Sequence, residues 1–256
     1  MTATIRAGLC SVSLRMLDAE HVAELAARAG LHTIEWGGDV HVPPGDLERA
    51  AKVARLTAAT GLRSCSYGSY FRAGGDEPFT PALDTASVLG VDRVRVWAGW
   101  VSSAAATGPE WTTVVSRLRD AVDEAGERGI RLALEFHANT LSDTAEATLR
   151  LLSHVDRAAL SSYWQPPVGA SGRRAIEGYR ALAGRVSALH VFSWWPAQER
   201  LALDARSGLW QPLLAEAASS ARPPEDALLE FLPGDDPSLL AREAATLRRY
   251  LGRPRA

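Results

Sequence analysis

Short apolar runs alternate with amphipathic stretches along the chain, and a glycine, a proline or a capping residue punctuates most junctions. The first apolar run, 5–13 (IRAGLCSVS), precedes Asp18, which is placed to cap a helix over 19–29 that Gly30 closes. A second run, 32–36, passes into GGDVHVPPGD, whose prolines and glycines demand a loop; Asp46 then caps a helix over 47–60. Strand three reads at 62–67 after Gly61, a helix at 81–89 is stopped by Gly90, and strand four occupies 92–97. A long helix over 109–128 has Pro109 at its start, where a missing N–H costs nothing, and Gly129 ends it. Strand five follows inside GIRLALEFHANT, 129–140.

The second half repeats the pattern. Ser142 or Asp143 is placed to cap a helix running to 153, and a weaker strand over 158–164 ends in QPPVG. A helix over 172–183, a strand over 186–192 (VSALHVF) and a polar insertion over 193–207 come next. A helix over 209–219, a strand over 226–232 (DALLEFL) and a helix over 237–251 complete the chain. Strict strand–helix alternation without a linker predicts one α/β domain over residues 1–256, a parallel sheet covered by helices. Eight such units in this length match a (β/α)8 TIM barrel. A doubly wound open sheet would carry a glycine-rich phosphate turn after its first strand. Here that position reads CSVSLRMLD, with neither G-x-G-x-x-G nor G-x-x-x-x-G-K, so the barrel is the reading kept.

Composition narrows the function classes. Hydrophobic residues at 46% and charged residues at 23% fit a globular protein with a sizeable core. A net charge of −2 without a Lys/Arg-dominated segment argues against a nucleic-acid footprint. The two cysteines, Cys10 and Cys65, make no disulfide framework and fit a reducing compartment. No window approaches the ~18 apolar residues of a membrane span, and the N-terminal MTATIRAGLC lacks a long apolar signal core, which predicts a cytoplasmic protein.

Chemistry is expected at the C-terminal strand ends, the active face of such barrels. Those ends hold Glu35 and Trp36, Ser66 and Tyr67, Trp97, Glu135 and His137, Trp164 and Gln165, His190, and Glu230. Strand alternation points Glu135 and His137 one way and Phe136 the other. Glu135, Glu230 and His190 form a carboxylate–imidazole set suited to a divalent metal, and two carboxylates flanking a sugar can exchange protons with adjacent carbons. Six of the eight tryptophans (Trp36, Trp97, Trp100, Trp164, Trp194 and Trp195) fall at or just past strand ends, which predicts a mouth of flat apolar faces for a ring-shaped ligand. His41, in the Gly/Pro loop, and His137 are expected to line that mouth. His21 and His154 read as surface residues on helices, and His32 starts its strand at the wrong end for chemistry.

With these features the chain resembles the sugar phosphate isomerase/epimerase group of the xylose isomerase-like TIM barrels. The likeness covers almost the whole length and rests on IEWGGDVHVPPGD, SYGSY, RVWAG, LEFHANTLSD, LHVF and LEF at the ends of strands two, three, four, five, seven and eight. The resemblance implies a divalent-metal site (Mn2+, Mg2+ or Co2+) made by Glu135, His190 and Glu230, with the two glutamates doubling as the proton-transfer pair. It also implies ketoses, polyols or their phosphates as substrates. The group commonly presents an Asp near the end of strand six, whereas SSYWQP places Gln165 there. An amide oxygen can bind a hard cation but carries no charge, so weaker metal binding is expected.

The reading that follows is a metal-assisted isomerase or epimerase working through an enediolate. Glu135 and Glu230 exchange protons; Glu135, Gln165, His190 and Glu230 hold the metal; and His137, His41, Trp36, Trp97, Tyr67, Trp164 and Trp194 contact substrate. A lyase performing β-elimination on a cyclic polyol or glycoside is the first alternative, and a non-catalytic sugar-binding barrel the second. An abasic-site endonuclease would need more metal ligands and a basic groove, and neither is visible. Arg200 and Arg206 in the insertion could meet a phosphate, although a solvated loop is the better account of them.

Overall fold

A computed structural model describes residues 4–252. Eight parallel strands, β1 Arg6–Cys10, β2 Thr33–Gly37, β3 Arg63–Gly68, β4 Arg93–Val96, β5 Arg131–Leu134, β6 Leu160–Trp164, β7 Val186–Val191 and β8 Asp226–Leu229, close in the order β1-β8-β7-β6-β5-β4-β3-β2. Each is followed by a helix: α1 Ala19–Arg28, α2 Leu47–Ala59, α3 Thr80–Leu89, α4 Gly108–Gly126, α5 Ala145–Val155, α6 Gly172–Leu182, α7 Ser207–Ser219 and α8 Leu240–Tyr250. No helix among the described residues is long and apolar enough to cross a membrane.

Side-chain alternation builds two cores from one set of strands. Leu9, Ile34, Val94, Val96, Leu132, Leu134, Leu189, Val191, Ala227 and Leu229 face outward and pack with the helices. Cys10, Val12, Cys65, Ala133, Tyr163, Ala188 and Leu228 fill the barrel interior. The inward parity then carries every site residue, because Glu135 follows Ala133 by two, Gln165 follows Tyr163, His190 follows Ala188 and Glu230 follows Leu228. Register shifts at Ile34/Glu35 between β2 and β3, and at Ser162/Tyr163 between β6 and β7, set Glu35 opposite Ser66 and Tyr163 opposite Ala188.

The N-terminal end of the barrel is plugged by charge. Arg93, fully buried, reaches Asp226 at 2.5 Å and the Ser187 carbonyl at 3.1 Å, while Arg6 donates to the other Asp226 oxygen at 2.7 Å.

Several element bounds differ from the sequence reading. The first strand stops at Cys10, and Ser11–Leu14 forms a 3-10 turn. Hydroxyls drive that turn: Ser11 accepts from the Gly37 amide at 2.8 Å and Ser13 from the Phe231 amide at 2.9 Å. Helix α5 is capped by Thr144, not Ser142 or Asp143. The earlier pair is occupied elsewhere, since Ser142 donates to the Glu135 carbonyl at 2.6 Å and Asp143 accepts from the Ser103 amide at 3.0 Å. The polar insertion contains a two-residue ladder, Ser193–Trp194 against Arg200–Leu201, and a 3-10 turn over Leu203–Arg206.

Candidate active site

At the C-terminal end of the barrel lies a cavity of about 380 Å³ whose floor carries Arg95, Glu135, Gln165 and Glu230. Directly among them sits His190, with no exposed surface. Its Nδ1 is 3.2 Å from Gln165 Oε1, 3.5 Å from Glu135 Oε1 and 3.5 Å from Glu230 Oε2. Its Nε2 is 3.4 Å from Glu35 Oε1 and has no hydrogen-bond partner among the described residues. Glu35 turns its other oxygen to two hydroxyls, with Ser66 and Tyr163 each donating to Oε2 at 2.8 Å.

Arg95 is the residue that sequence reasoning missed. It projects inward from β4, is 3% exposed, and sets Nη1 at 2.7 Å from Glu135 Oε2 and 3.7 Å from Glu35 Oε1. Gly68 leaves the space it needs, because a Cβ there would lie 3.0 Å from Arg95 Nη2 and 3.1 Å from Glu35 Oε1. Burial opposes ionisation of Glu35 and Glu135, but the Arg95 guanidinium and His190 outweigh it and hold both carboxyls below the usual range. Glu230 has no arginine within ion-pair distance among the described residues. Burial, opposed by His190 and helped by neighbouring Glu135, pushes it up to about 7. Burial opposes charging of His190, yet Cys10, Glu230 and Glu135 around it hold its pKa well above the ordinary value. Burial pushes the Cys10 thiol upward.

The donor set fits a divalent cation. Ligand atoms on a sphere of ~2.1 Å radius lie roughly 3 Å apart. Each of the three oxygens around His190 Nδ1 stands 3.2–3.5 Å from that nitrogen, while the Glu135 and Glu230 carboxylates lie farther from one another and would draw together around an ion. The chemistry of the set, one imidazole, two carboxylates and one amide oxygen, suits a hard or borderline ion.

The walls of the cavity are aromatic. Trp97, Trp194, Tyr70, Phe192 and Phe231 line it, together with His137, whose ring lies 4.9 Å from Trp97. Of the six tryptophans expected at the mouth, Trp97 and Trp194 line the cavity. Trp36, Tyr67 and Trp164 do not. Each stands one residue from an inward side chain and therefore points to the helices: Trp36 donates to Thr57 of α2 at 3.2 Å, Tyr67 to the Val42 carbonyl at 2.8 Å, and Trp164 packs on Tyr179 and Trp210. His41 is also displaced. Both ring nitrogens are engaged, with Ser11 Oγ at 3.0 Å and the Leu17 carbonyl at 3.1 Å, and the residue borders a separate groove beside α2. Arg200 pairs with Asp235 and stacks on Phe231 at 4.6 Å, while Arg206 donates to the carbonyls of Trp194 and Ala170. Neither arginine is presented as a phosphate site. Parity along the strands was the signal that separates inward from outward aromatics; Tyr70, Phe192 and Phe231 lie beyond or at the ends of strands, where it fades.

The sequence profile of the xylose isomerase-like TIM barrel family matches residues 23–194. No curated protein matches the chain significantly. Among solved structures, the probable 3-DHS dehydratase AsbF of Bacillus anthracis is similar at a TM-score of 0.71 and 18% identity, over 95% of this chain and 98% of that one. D-psicose 3-epimerase of Clostridium cellulolyticum H10 aligns at a TM-score of 0.70 and 14% identity, over 98% and 100%. A Mycobacterium smegmatis barrel solved in complex with magnesium aligns at 0.68 and 15%, over 98% and 97%. At such identities the likeness establishes the fold.

Proposed function

Since this chain belongs to the xylose isomerase-like TIM barrel family, we propose that it is a metal-assisted isomerase or epimerase of a carbohydrate-like hydroxy-ketone. The observation that carries this reading is the pair of buried carboxylates, Glu135 and Glu230, both 3.5 Å from one His190 nitrogen on the floor of the cavity. His190, Glu135, Glu230 and Gln165 would hold the ion. When bound, a divalent cation polarises a carbonyl and its neighbouring hydroxyl and so acidifies the intervening C–H.

The residues of the chain divide the remaining work. Glu135, kept as a carboxylate by Arg95 at 2.7 Å, removes the proton, and Glu230 returns one to the other face or the adjacent carbon. His137, at the cavity wall, orients a substrate hydroxyl, and Trp97 and Trp194 stack on the ring or chain and shed water from it. Phe231 and Phe192 pack beside Trp194, with ring centroids at 5.0 and 5.1 Å, and extend that wall.

The test is solvent exchange. Incubated in deuterated water with a panel of ketoses and cyclic polyols, the parent protein should place deuterium at one carbon of its substrate. Glu135→Gln and Glu230→Gln should each lower that incorporation by roughly 100-fold or more. Undiminished incorporation in both variants would remove the two-carboxylate mechanism.

The aromatic wall favours a second reading, β-elimination of water from a cyclic polyol after the same proton abstraction. A cavity walled by six aromatic side chains above a charged floor suits a cyclic substrate better than an extended sugar chain. Mass spectrometry separates the two outcomes: loss of one water marks the lyase, and unchanged mass marks the isomerase.

A further inference from the structure

We propose that Glu35 is the positioning residue of the divalent centre: its carboxylate accepts a hydrogen bond from His190 Nε2–H and so leaves Nδ1 as the ligand nitrogen. The proposal rests on the metal-site reading above and adds the residue that decides which nitrogen of the imidazole meets the ion.

Three carboxylates surround the His190 ring, and they divide between its nitrogens. Glu135 and Glu230 come closest to Nδ1, each at 3.5 Å, beside Gln165 Oε1 at 3.2 Å. Glu35 comes closest to Nε2, at 3.4 Å. A neutral imidazole carries its proton on one nitrogen and a lone pair on the other, and the hydrogen bond made by one fixes the role of the other. With Nε2–H directed at Glu35, the lone pair falls on Nδ1 and faces the two glutamates that serve the chemistry. With the tautomer reversed, the lone pair would face Glu35 and the ion would be drawn away from both of them.

The surroundings of Glu35 suit this one task. The residue is 3% exposed and forms no part of the cavity wall, so it is placed to act through His190 and not on substrate. Burying a carboxylate is costly, and fixed donors offset that cost here. The register shift between β2 and β3 sets Glu35 opposite Ser66, and the Ser66 and Tyr163 hydroxyls each donate to Oε2 at 2.8 Å. Oε2 thus carries two hydrogen bonds, and Oε1 is left to face the ring.

The other neighbours of Oε1 stand farther off. Arg95 Nη1 lies at 3.7 Å and is committed to Glu135 at 2.7 Å, and Cys10 Sγ lies at 3.9 Å. His190 Nε2, for its part, is buried and has no other hydrogen-bond partner among the described residues. At 3.4 Å the two groups form an ion pair, and a slight turn of the ring closes it to a charge-assisted hydrogen bond of about 2.7–2.9 Å. A carboxylate in that place also makes the imidazole a stronger donor to a metal ion.

Nitrogen-15 NMR of the full chain, labelled at histidine and loaded with Zn2+, reads the tautomer directly, with the His190 signals assigned by their loss in His190→Gln. In the parent, Nε2 should carry a bonded proton that exchanges slowly with water, and Nδ1 should show the shift of a metal-bound nitrogen. In Glu35→Gln that proton should exchange rapidly, and Mn2+ titrated by electron paramagnetic resonance should bind roughly 10- to 100-fold more weakly. Glu35→Asp keeps the charge but withdraws the carboxylate from the ring, and it should weaken Mn2+ binding as well. Parent-like binding in Glu35→Asp beside weak binding in Glu35→Gln would show that Glu35 acts by charge alone and would overturn the proposal. A protonated Nδ1 with Zn2+ on Nε2 overturns the role of Glu35 and leaves a metal site standing. No Zn2+-dependent change at either nitrogen overturns both. Should the Glu35 variants fail to fold, the spectrum of the parent decides the matter alone.

Discussion

A guanidinium 3% exposed, set between two glutamates at the base of a cavity, has to be explained by its charge. Glu35, Glu135 and Glu230 carry three negative charges when ionised; Arg95 offsets one, and the remaining two match a divalent cation. A carboxylate in place of Gln165 would leave that balance one charge short. Removing one partner of a buried ion pair costs about 3–5 kcal/mol. Arg95→Met should therefore lower the melting temperature of metal-free protein by the equivalent of about that range, and Mn2+ should restore more stability to the variant than to the parent. Equal restoration in both proteins would show that Arg95 does not compete with the ion. Glu230 supplies a pH test. Its carboxyl is raised from 4.5 to about 7 in the fold, so it contributes stability that is complete below pH 4.5 and lost as pH rises through 7. In EDTA, the parent should lose stability relative to Glu230→Gln between those limits, measured as the difference between the two melting curves. Parallel curves across that window would place Glu230 in an unperturbed environment. Glu135, His190, Glu230 and Gln165 were legible in the sequence because each closes an apolar strand. Arg95 was not, because RVRV reads as a strand with one solvated face, and only barrel closure turns that face inward.

At the scale of elements, strand parity decides which residues reach the cavity. Eight apolar strands and their helices were readable from periodicity and caps, and the observed elements follow them closely. The aromatic set was not, since Trp36 and Glu35 are neighbours at a strand end but stand on opposite faces. Helix starts were readable only to within a residue or two where several capping residues compete, as at Ser142, Asp143 and Thr144, and tertiary hydrogen bonds decided among them. The opposite end of the strands gives a prediction about division of labour. Asp226 takes both Arg93 at 2.5 Å and Arg6 at 2.7 Å. Asp226→Asn should cost about 3 kcal/mol or more in chemical denaturation, because Arg93 would remain buried with a weakened partner. Solvent exchange per folded molecule should stay within about twofold of the parent, as expected for the stability end of such a barrel. A large fall in exchange without loss of stability would mean that the plug communicates with the cavity.

For the whole molecule, closure of the barrel brings together side chains 195 positions apart in sequence, Glu35 and Glu230, on either side of β1. Apolar burial is concentrated in the outer core between strands and helices, whereas the C-terminal end holds buried carboxylates that a stability-driven sequence would exclude. The central claim is that this end is a divalent-metal centre built by His190, Glu135, Glu230 and Gln165. Anomalous scattering from a crystal grown with Mn2+ tests it most directly. One strong peak should appear at the cavity floor, about 2.1–2.2 Å from His190 Nδ1 and from an oxygen of each of the other three residues. A map without a peak there at saturating Mn2+, with His190 still seated among the unshifted carboxylates, would contradict it.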